Sequence, residues 1–454
     1  MTAPVIVWLR RDLRLADQPA FCAAASEGPV IPVFVLDDET AGDRKPGDAA
    51  RWWLHHSLAA FDGDLRQQGS RLILRRGEAV EQIAQLARET GAVAVHALRH
   101  YEPWWREAEA ALAERIDLCL HDGNYLLPPG SVTTGAGTPF KIYTPFARAA
   151  MRRLPERGPL DAPELAAPTA WPRSDDLADW NLLPKAPDWA AGFRARWRCG
   201  EEAAHEALDD FLDRVAAYET DRNAPSIEGT SRLSPHLHWG EISPAQVWQA
   251  LAARRGKGAD TFRHELLWRD YAQGVIQQAP DYAERSYRTE FRRFPWRRDA
   301  RDLRAWQRGR TGYPIVDAGM RQLWATGWMH NRVRMIAASF LVKHLLIDWR
   351  EGERWFWDTL VDADYGNNGV NWQWVAGSGV DANMFVRIMA PLSQSAKFDA
   401  GDYIREWVPE LRGLGDGEIH DPGAVRPQDY PQPIVDHREA RERALAAYRA
   451  MKAG

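Results

Sequence analysis

The sequence predicts an α/β domain built on a doubly wound parallel sheet, followed by a large all-α domain. Three observations carry this. The first 125 residues alternate short, nearly continuous β-branched runs with Ala/Leu/Glu-rich helical stretches, the pattern of strands covered on both faces. From about Ser131 to Ala190 the chain turns rich in Pro, Gly and Asp and reads as a connector. After about Ala195 apolar residues recur at intervals of three and four, the helical period. The division is 1–130 for the α/β domain, 131–195 for the connector and 196–454 for the helical domain. A chain of 454 residues is in any case too long for one core.

In chain order, PVIVWLR (4–10), PVIPVFVLD (29–37), SRLILRR (70–76), AVAVHAL (92–98) and IDLCLHDG (116–123) read as strands. RWWLHHSLAAFDGDLRQQG (51–69) and EAVEQIAQLARETG (78–91) read as helices between them. Neither GxGxxG after the first strand nor GxxxxGK[ST] is present, so a dinucleotide fingerprint or phosphate loop is unsupported. LPPGSVTTGAGTP, LPERGPLDAPELAAP and LPKAPDW make the connector. In the helical part, residues 200–218 and the long run 319–349 carry the clearest helical periodicity.

Composition is that of a globular protein, with 45% hydrophobic and 27% charged residues. No apolar stretch approaches the roughly 20 residues of a membrane span. The start, MTAPVIVWLRRDLRL, lacks the parts of a signal peptide. Cys22, Cys119 and Cys199 are far apart and form no CxxC pair, which excludes a cysteine zinc site and fits a reducing compartment. The expected location is the cytoplasm. A net charge of −5 argues against nucleic acid, but it hides a patch. Between Arg285 and Arg310 ten arginines face only Glu290, Asp299 and Asp302, a local charge of +7. Tyr287, Phe291, Phe294, Trp296 and Trp306 are interleaved with them. A charge run is commonly a solvated face, but this mixture also fits phosphates beside apolar surface.

Twenty-two tryptophans are unusual, and many in the C-terminal half stand beside Asn, Arg or Asp. Most are expected to pack a core. Four stretches ask for more. In Glu228–Glu241, Thr230, Ser231 and Ser234 flank Arg232. Such hydroxyls either cap a helix or, with backbone N–H groups and a guanidinium, hold an anion. In His264–Ala272, Glu265 and Trp268 share a helical face and Arg269 follows. This is either a buried pair or a base-reading pair. His330, Asn331, Arg332 and Arg334 fall within an apolar helical pattern, where so many polar groups want a polar ligand. Asp362–Trp374 joins two acids, three asparagines and two indoles around a GNNG turn. No metal-ligand spacing and no GxSxG is present. Together these parts describe a helical cavity for something flat, polar-edged and phosphate-bearing, and a flavin nucleotide fits.

With these motifs in order, the chain resembles the photolyase/cryptochrome family, most of all its bacterial enzymes for cyclobutane pyrimidine dimers. The resemblance runs from VWLRRDLRLADQPA through LPPG, FKIYTPF, EGTSRLSPHLHWG, TGYPIVDAGMRQLWATGWMHNRVRM, LLIDWREGERWFW and NNGVNWQW to YPQPIVDHREAR. It implies FAD, held by Tyr218, Thr230, Ser231, Arg232, Leu233, Ser234, Trp268, Arg269, Asn331, Arg334, Asp362, Asp364 and Asn368. It implies an Arg334–Asp362 pair, with Asn368 at the position facing flavin N5. Plant cryptochromes place Asp there and insect ones Cys. Glu265, Trp268, Asn331, Met335 and Trp374 match positions that receive the flipped-out dimer, and Arg332 and Arg387 positions near the DNA backbone. Trp372, Trp349 and Trp296 match the electron relay, proximal to distal. Glu102 matches a position of the antenna pocket, for methenyltetrahydrofolate or a deazaflavin. The implied partner is double-stranded DNA containing pyrimidine dimers, with no membrane, no protein partner and a monomeric state. The implied activity is light-driven dimer repair. The alternatives are a blue-light photoreceptor of cryptochrome type and a six-four photoproduct enzyme, whose His pair this chain lacks at His330-Asn331.

Overall fold

The computed structural model describes residues 3–154, 158–382 and 384–453. Residues 155–157 of the expected connector lie outside the described residues. All five expected strands form: β1 Val5–Leu9, β2 Val30–Leu36, β3 Ile73–Arg76, β4 Ala94–Leu98 and β5 Asp117–His121. They make one parallel sheet in the order β3-β2-β1-β4-β5. Strands β1, β2 and β4 are buried along their whole length, which is why they read as nearly continuous apolar runs, with only His96 interrupting β4, rather than as alternation. Ile6, Trp8, Ile31, Val33 and Ile73 pack with Ile83 and Leu86 of the Ala79–Thr90 helix and with Leu112 of the Pro103–Ala113 helix.

The chain divides into two compact units. The first holds residues 1–189, 197–215 and 231–280; the second holds 190–196, 216–230 and 281–454. Within the first, the loop after β1 is stitched to helical segments. Leu15 N–H and Ala16 N–H donate to the Glu201 carboxylate at 2.7 and 3.0 Å. Leu13 N–H donates to the Trp239 carbonyl, and the buried Arg14 guanidinium to that of Gly240. The Lys257–Gln278 helix belongs to this unit.

The second unit is helical, around a core that includes Trp306, Met320, Leu341, Trp349, Phe356 and Trp372. Here the expected continuous helical run 319–349 is corrected. It splits into the Pro314–Thr326 and Asn331–Ser339 helices and a π-helical turn at Phe340–His344. The break lies at Gly327, whose φ of +68° suits a residue without Cβ. A Cβ there would stand 2.6–2.8 Å from Val361 and Phe193. His330, expected inside a helix, instead caps the second one, its Nδ1 accepting from Arg332 N–H at 3.2 Å. Apolar periodicity continues across the break because both helices face the same core.

Lys343, in the π-helical turn, is buried and donates to the Arg387 carbonyl at 2.9 Å. Burial lowers its pKa from 10.5 to about 7. Between pH 7 and 10 the unfolded chain therefore binds the extra proton, and stability rises with pH. Lys343→Met is expected to remove this slope. Urea unfolding at pH 7 and pH 9 checks it: the wild type should gain on the variant by up to about 1.4 kcal/mol per pH unit.

Candidate active site

The second unit brings several predicted residues together. Its Tyr365–Ala376 helix starts at the cap Asp364, which accepts from Asn367 N–H at 2.7 Å. The GNNG sequence at 366–369, open to a turn reading, is thus the first part of this helix. Gly369 suits the position because a Cβ would stand 3.0 Å from Ala283. Asn368 is buried, and its Nδ2 donates twice to Glu353: to the carbonyl at 3.0 Å and to the carboxylate at 2.9 Å. Glu353 was not among the residues the sequence singled out. It sits on the Trp349–Thr359 helix with no exposed surface.

Arg334 and Asp362 form a bidentate pair at 3.2 and 2.9 Å, the planar fork geometry that favours arginine over lysine. Arg334 Nε also donates to the Met329 carbonyl at 2.7 Å. Arg332 stacks 4.5 Å above the Phe398 ring, donates to Asn223, and lies 3.8 Å from Met335 sulfur. Asn331, at the start of the same helix, and Arg387 are exposed. Tyr218 is buried, with the Arg222 guanidinium 5.3 Å from its ring.

Of the three relay tryptophans, Trp372 and Trp349 are buried and Trp296 is half-buried. The ring of Trp372 occupies the space left by Gly352, where a Cβ would stand 2.1 Å from it. Its ring neighbours are Phe356 at 5.0 Å and Trp306 at 6.2 Å. Trp349 Nε1 donates to Ser286 Oγ at 3.3 Å, and Trp296 packs on Phe294 at 4.3 Å. Trp374 is half-buried. The Arg-rich segment forms a 3-10 turn at Thr289–Arg293 and the Ala300–Gln307 helix. Its acids are engaged: Glu290 with Lys452, Asp299 and Asp302 with Arg297. Arg292, Arg298, Arg301, Arg304 and Arg308 are exposed.

In the first unit, Trp268 lies flat against Tyr143, the ring centres 3.4 Å apart and the planes at 6°. Glu265 is half-buried one turn earlier. Arg269 donates to the Leu237 carbonyl at 3.0 Å. Its Nη1 is buried and has no hydrogen-bond partner among the described residues. Ser231 Oγ accepts from Leu233 N–H, Arg232 adopts a left-handed φ of +53°, and Ser234 is exposed. The short Ser234–Trp239 helix has Leu233 at its cap and no side-chain cap bond, so the capping role open to these hydroxyls is not used. Thr230, half-buried, is the last residue of its segment of the second unit. Glu102 is fully buried, beside Arg11, with which it forms an ion pair.

Residues 5–168 match the family described as DNA photolyase, and residues 262–450 the FAD binding domain of DNA photolyase. The chain is 48% identical to the deoxyribodipyrimidine photo-lyase of Agrobacterium fabrum, over 99% of this chain and 98% of that one. It superposes on the bacterial class III photolyase from Agrobacterium tumefaciens with a TM-score of 0.96 at 47% identity, covering 100% of this chain and 98% of that one. It superposes on the archaeal photolyase from Sulfolobus tokodaii, solved with two FAD molecules, with a TM-score of 0.84 at 31% identity, covering 98% and 100%. The chain belongs to the photolyase/cryptochrome family, and its C-terminal part is an FAD-binding domain of that family. No described helix is long and apolar enough to cross a membrane.

The residues present fit that cofactor. An unmatched buried guanidinium N–H on Arg269 suits a phosphate, and a fixed amide and a neutralised Arg–Asp pair suit the polar edge of a flat ring. The close seat of Trp372 can be tested directly. Gly352→Ala is expected to lower stability by about 1–3 kcal/mol through overpacking, read from the urea midpoint at constant slope.

Proposed function

We propose that this protein repairs cyclobutane pyrimidine dimers in double-stranded DNA by light-driven electron transfer, with FAD as cofactor. The observation that carries the reading is the Asn368 amide, locked by Glu353 at 2.9 and 3.0 Å. An amide keeps one hydrogen-bonding face and does not titrate, whereas the Asp and Cys found at the matching cryptochrome position can exchange a proton. The relatives named photo-lyase support the same reading.

Tyr218, Thr230, Ser231, Arg232, Leu233, Ser234, Trp268, Arg269, Asn331, Arg334, Asp362, Asp364 and Asn368 are the proposed FAD-binding residues. Bound in its reduced form, FAD supplies an excited-state electron under blue or near-UV light. The chain's own groups prepare the substrate. Trp268 and Trp374 offer aromatic faces to the two pyrimidines. The Glu265 carboxyl and Asn331 amide hydrogen bond at a pyrimidine edge, where such contacts stabilise charge as it develops. Met335 is proposed as an apolar contact of the dimer. Arg332 and Arg387 take backbone phosphates. Photolyases as a class extrude the bases on which they act, and that step is taken from the class. Ring splitting breaks two carbon–carbon bonds and is redox-neutral overall. Trp372, Trp349 and Trp296 are proposed to conduct an electron from the surface inward.

A second, light-harvesting chromophore belongs to the proposal: methenyltetrahydrofolate, a deazaflavin or, as in the Sulfolobus tokodaii structure, a second FAD. Glu102 is the antenna residue proposed from the resemblance. The absorption spectrum of unbleached protein separates these candidates. We further propose that the protein acts in the cytoplasm as a monomer.

Thymine-dimer oligonucleotides should be restored only under illumination. Absence of repair by fully reduced protein would turn the reading to a photoreceptor. Trp372→Phe is expected to slow photoreduction of the oxidised protein by an order of magnitude and to leave repair by pre-reduced protein near the wild-type rate. Unchanged photoreduction in that variant removes Trp372 from the relay. Affinity for dimer DNA should fall with salt at about 0.9 log units per neutralised phosphate. Arg332→Ala and Arg387→Ala should each lower that slope by about 1, measured by fluorescence anisotropy.

A further inference from the structure

Four consecutive residues of the Lys257–Gln278 helix each hold a different part of the chain between Tyr125 and Tyr143. Trp268 stacks on Tyr143. The Arg269 guanidinium lies 5.5 Å from the Tyr125 ring centre. Asp270 accepts from Leu126 N–H at 3.3 Å and Leu127 N–H at 2.9 Å, one carboxylate oxygen to each. The Tyr271 hydroxyl donates to the Lys141 carbonyl at 2.9 Å. Further along the helix, Gly274 and Gln277 face Gly130, whose φ is +84°; a Cβ there would stand 2.3 Å from Gln277 Oε1. Positions 270, 274 and 277 are one helical face. The last residues before the connector and its first part are therefore clamped along the helix that carries Trp268 and Arg269.

Asp270 is the costly member of this set. It is 2% exposed, and a carboxylate at that depth is penalised unless hydrogen bonds satisfy it. Burial pushes its pKa up to about 7, against the backbone bonds from Leu127 and Leu126 and the neighbouring Arg269 charge, which lower it. What the carboxylate secures is a turn: two consecutive amides fixed on one side chain place Tyr125 beside Arg269. Arg269 in turn spends Nη2 on the Leu237 carbonyl and keeps Nη1 buried and unmatched.

We infer that Asp270 is a positioning residue of the cofactor site. It locks the Tyr125–Leu127 turn, the turn seats Tyr125 against the Arg269 guanidinium, and the guanidinium is thereby held ready for an anionic group of the ligand. Asp270 itself touches no ligand. The inference rests on the proposed FAD reading for the identity of that ligand.

A double-mutant cycle on FAD affinity tests it, with apoprotein titrated by FAD and flavin fluorescence as the readout. Asp270→Ala is expected to weaken FAD binding about tenfold in the wild-type background and to add no further loss in the Arg269→Ala background, the non-additivity of residues acting through one another. Tyr125→Leu should reproduce this pattern without removing the carboxylate, and it carries the cycle alone if Asp270→Ala does not fold. Hydrogen exchange at the Leu126 and Leu127 amides should quicken in Asp270→Ala apoprotein. Equal losses in both backgrounds, or wild-type affinity in the variants, overturn the role of Asp270 and leave the cofactor reading standing. Failure of the wild-type apoprotein to bind FAD overturns both.

Discussion

Much of the helical unit depends on the contact between Gly352 and the ring of Trp372. Removing the side chain at 352 lets the Trp349–Thr359 and Tyr365–Ala376 helices approach closely enough for an indole to lie where a Cβ would be. Two consequences follow from that approach. Trp372 is enclosed beside Phe356 and Trp306, so it is buried and its orientation is fixed. Glu353, one residue further, reaches the facing helix and accepts from Asn368. A packing contact and a polar contact thus share one cause, and side chains far apart in sequence reach the geometry that the proposed chemistry needs.

The sheet and the most strongly patterned helices were legible in the sequence because their signals are local. Strands buried on both faces read as apolar runs, and the amphipathic helices read at a period near 3.6. The break at Gly327 was not legible, since the apolar pattern runs through it. The cause is tertiary: Phe193 and Val361 leave no room for a side chain, and Val361 N–H donates to the Gly327 carbonyl at 2.8 Å. The GNNG sequence misleads in the opposite direction. Its composition fits a turn, but the Asp364 cap and the close approach to Ala283 make it helical.

The site was legible to a different degree. Arg334 and Asp362 stand 28 positions apart, and their pairing came from resemblance, not from spacing; the structure places them in bidentate contact. Glu353 could not be told from Glu351 by sequence, since both lie in the same charged stretch and only packing buries one of them. Tryptophan abundance was a useful but coarse signal. Trp306 shows why: it is fully buried and donates to the Ala337 carbonyl at 3.0 Å, a packing residue with a satisfied polar handle.

Hydrogen-bond closure separates structural polar residues from those open to a ligand. Buried Asp317 accepts from Thr311 N–H and hydroxyl, Gly312 N–H and the Tyr430 hydroxyl at 2.6–3.0 Å. Gln373, near the end of the amide-rich motif, accepts from Tyr287 N–H and the Ser378 hydroxyl and donates to the Tyr282 and Arg285 carbonyls. Both sets are closed, and closed networks fix a fold. Arg269 differs, because its buried, unmatched Nη1 costs free energy that a ligand can return. Such a group is useful only if it cannot swing away to find another acceptor. Its bond to Leu237 and its seat beside Tyr125 supply that restraint. The turn that completes it, at Tyr125–Leu127, comes just ahead of a connector that by composition is only a spacer.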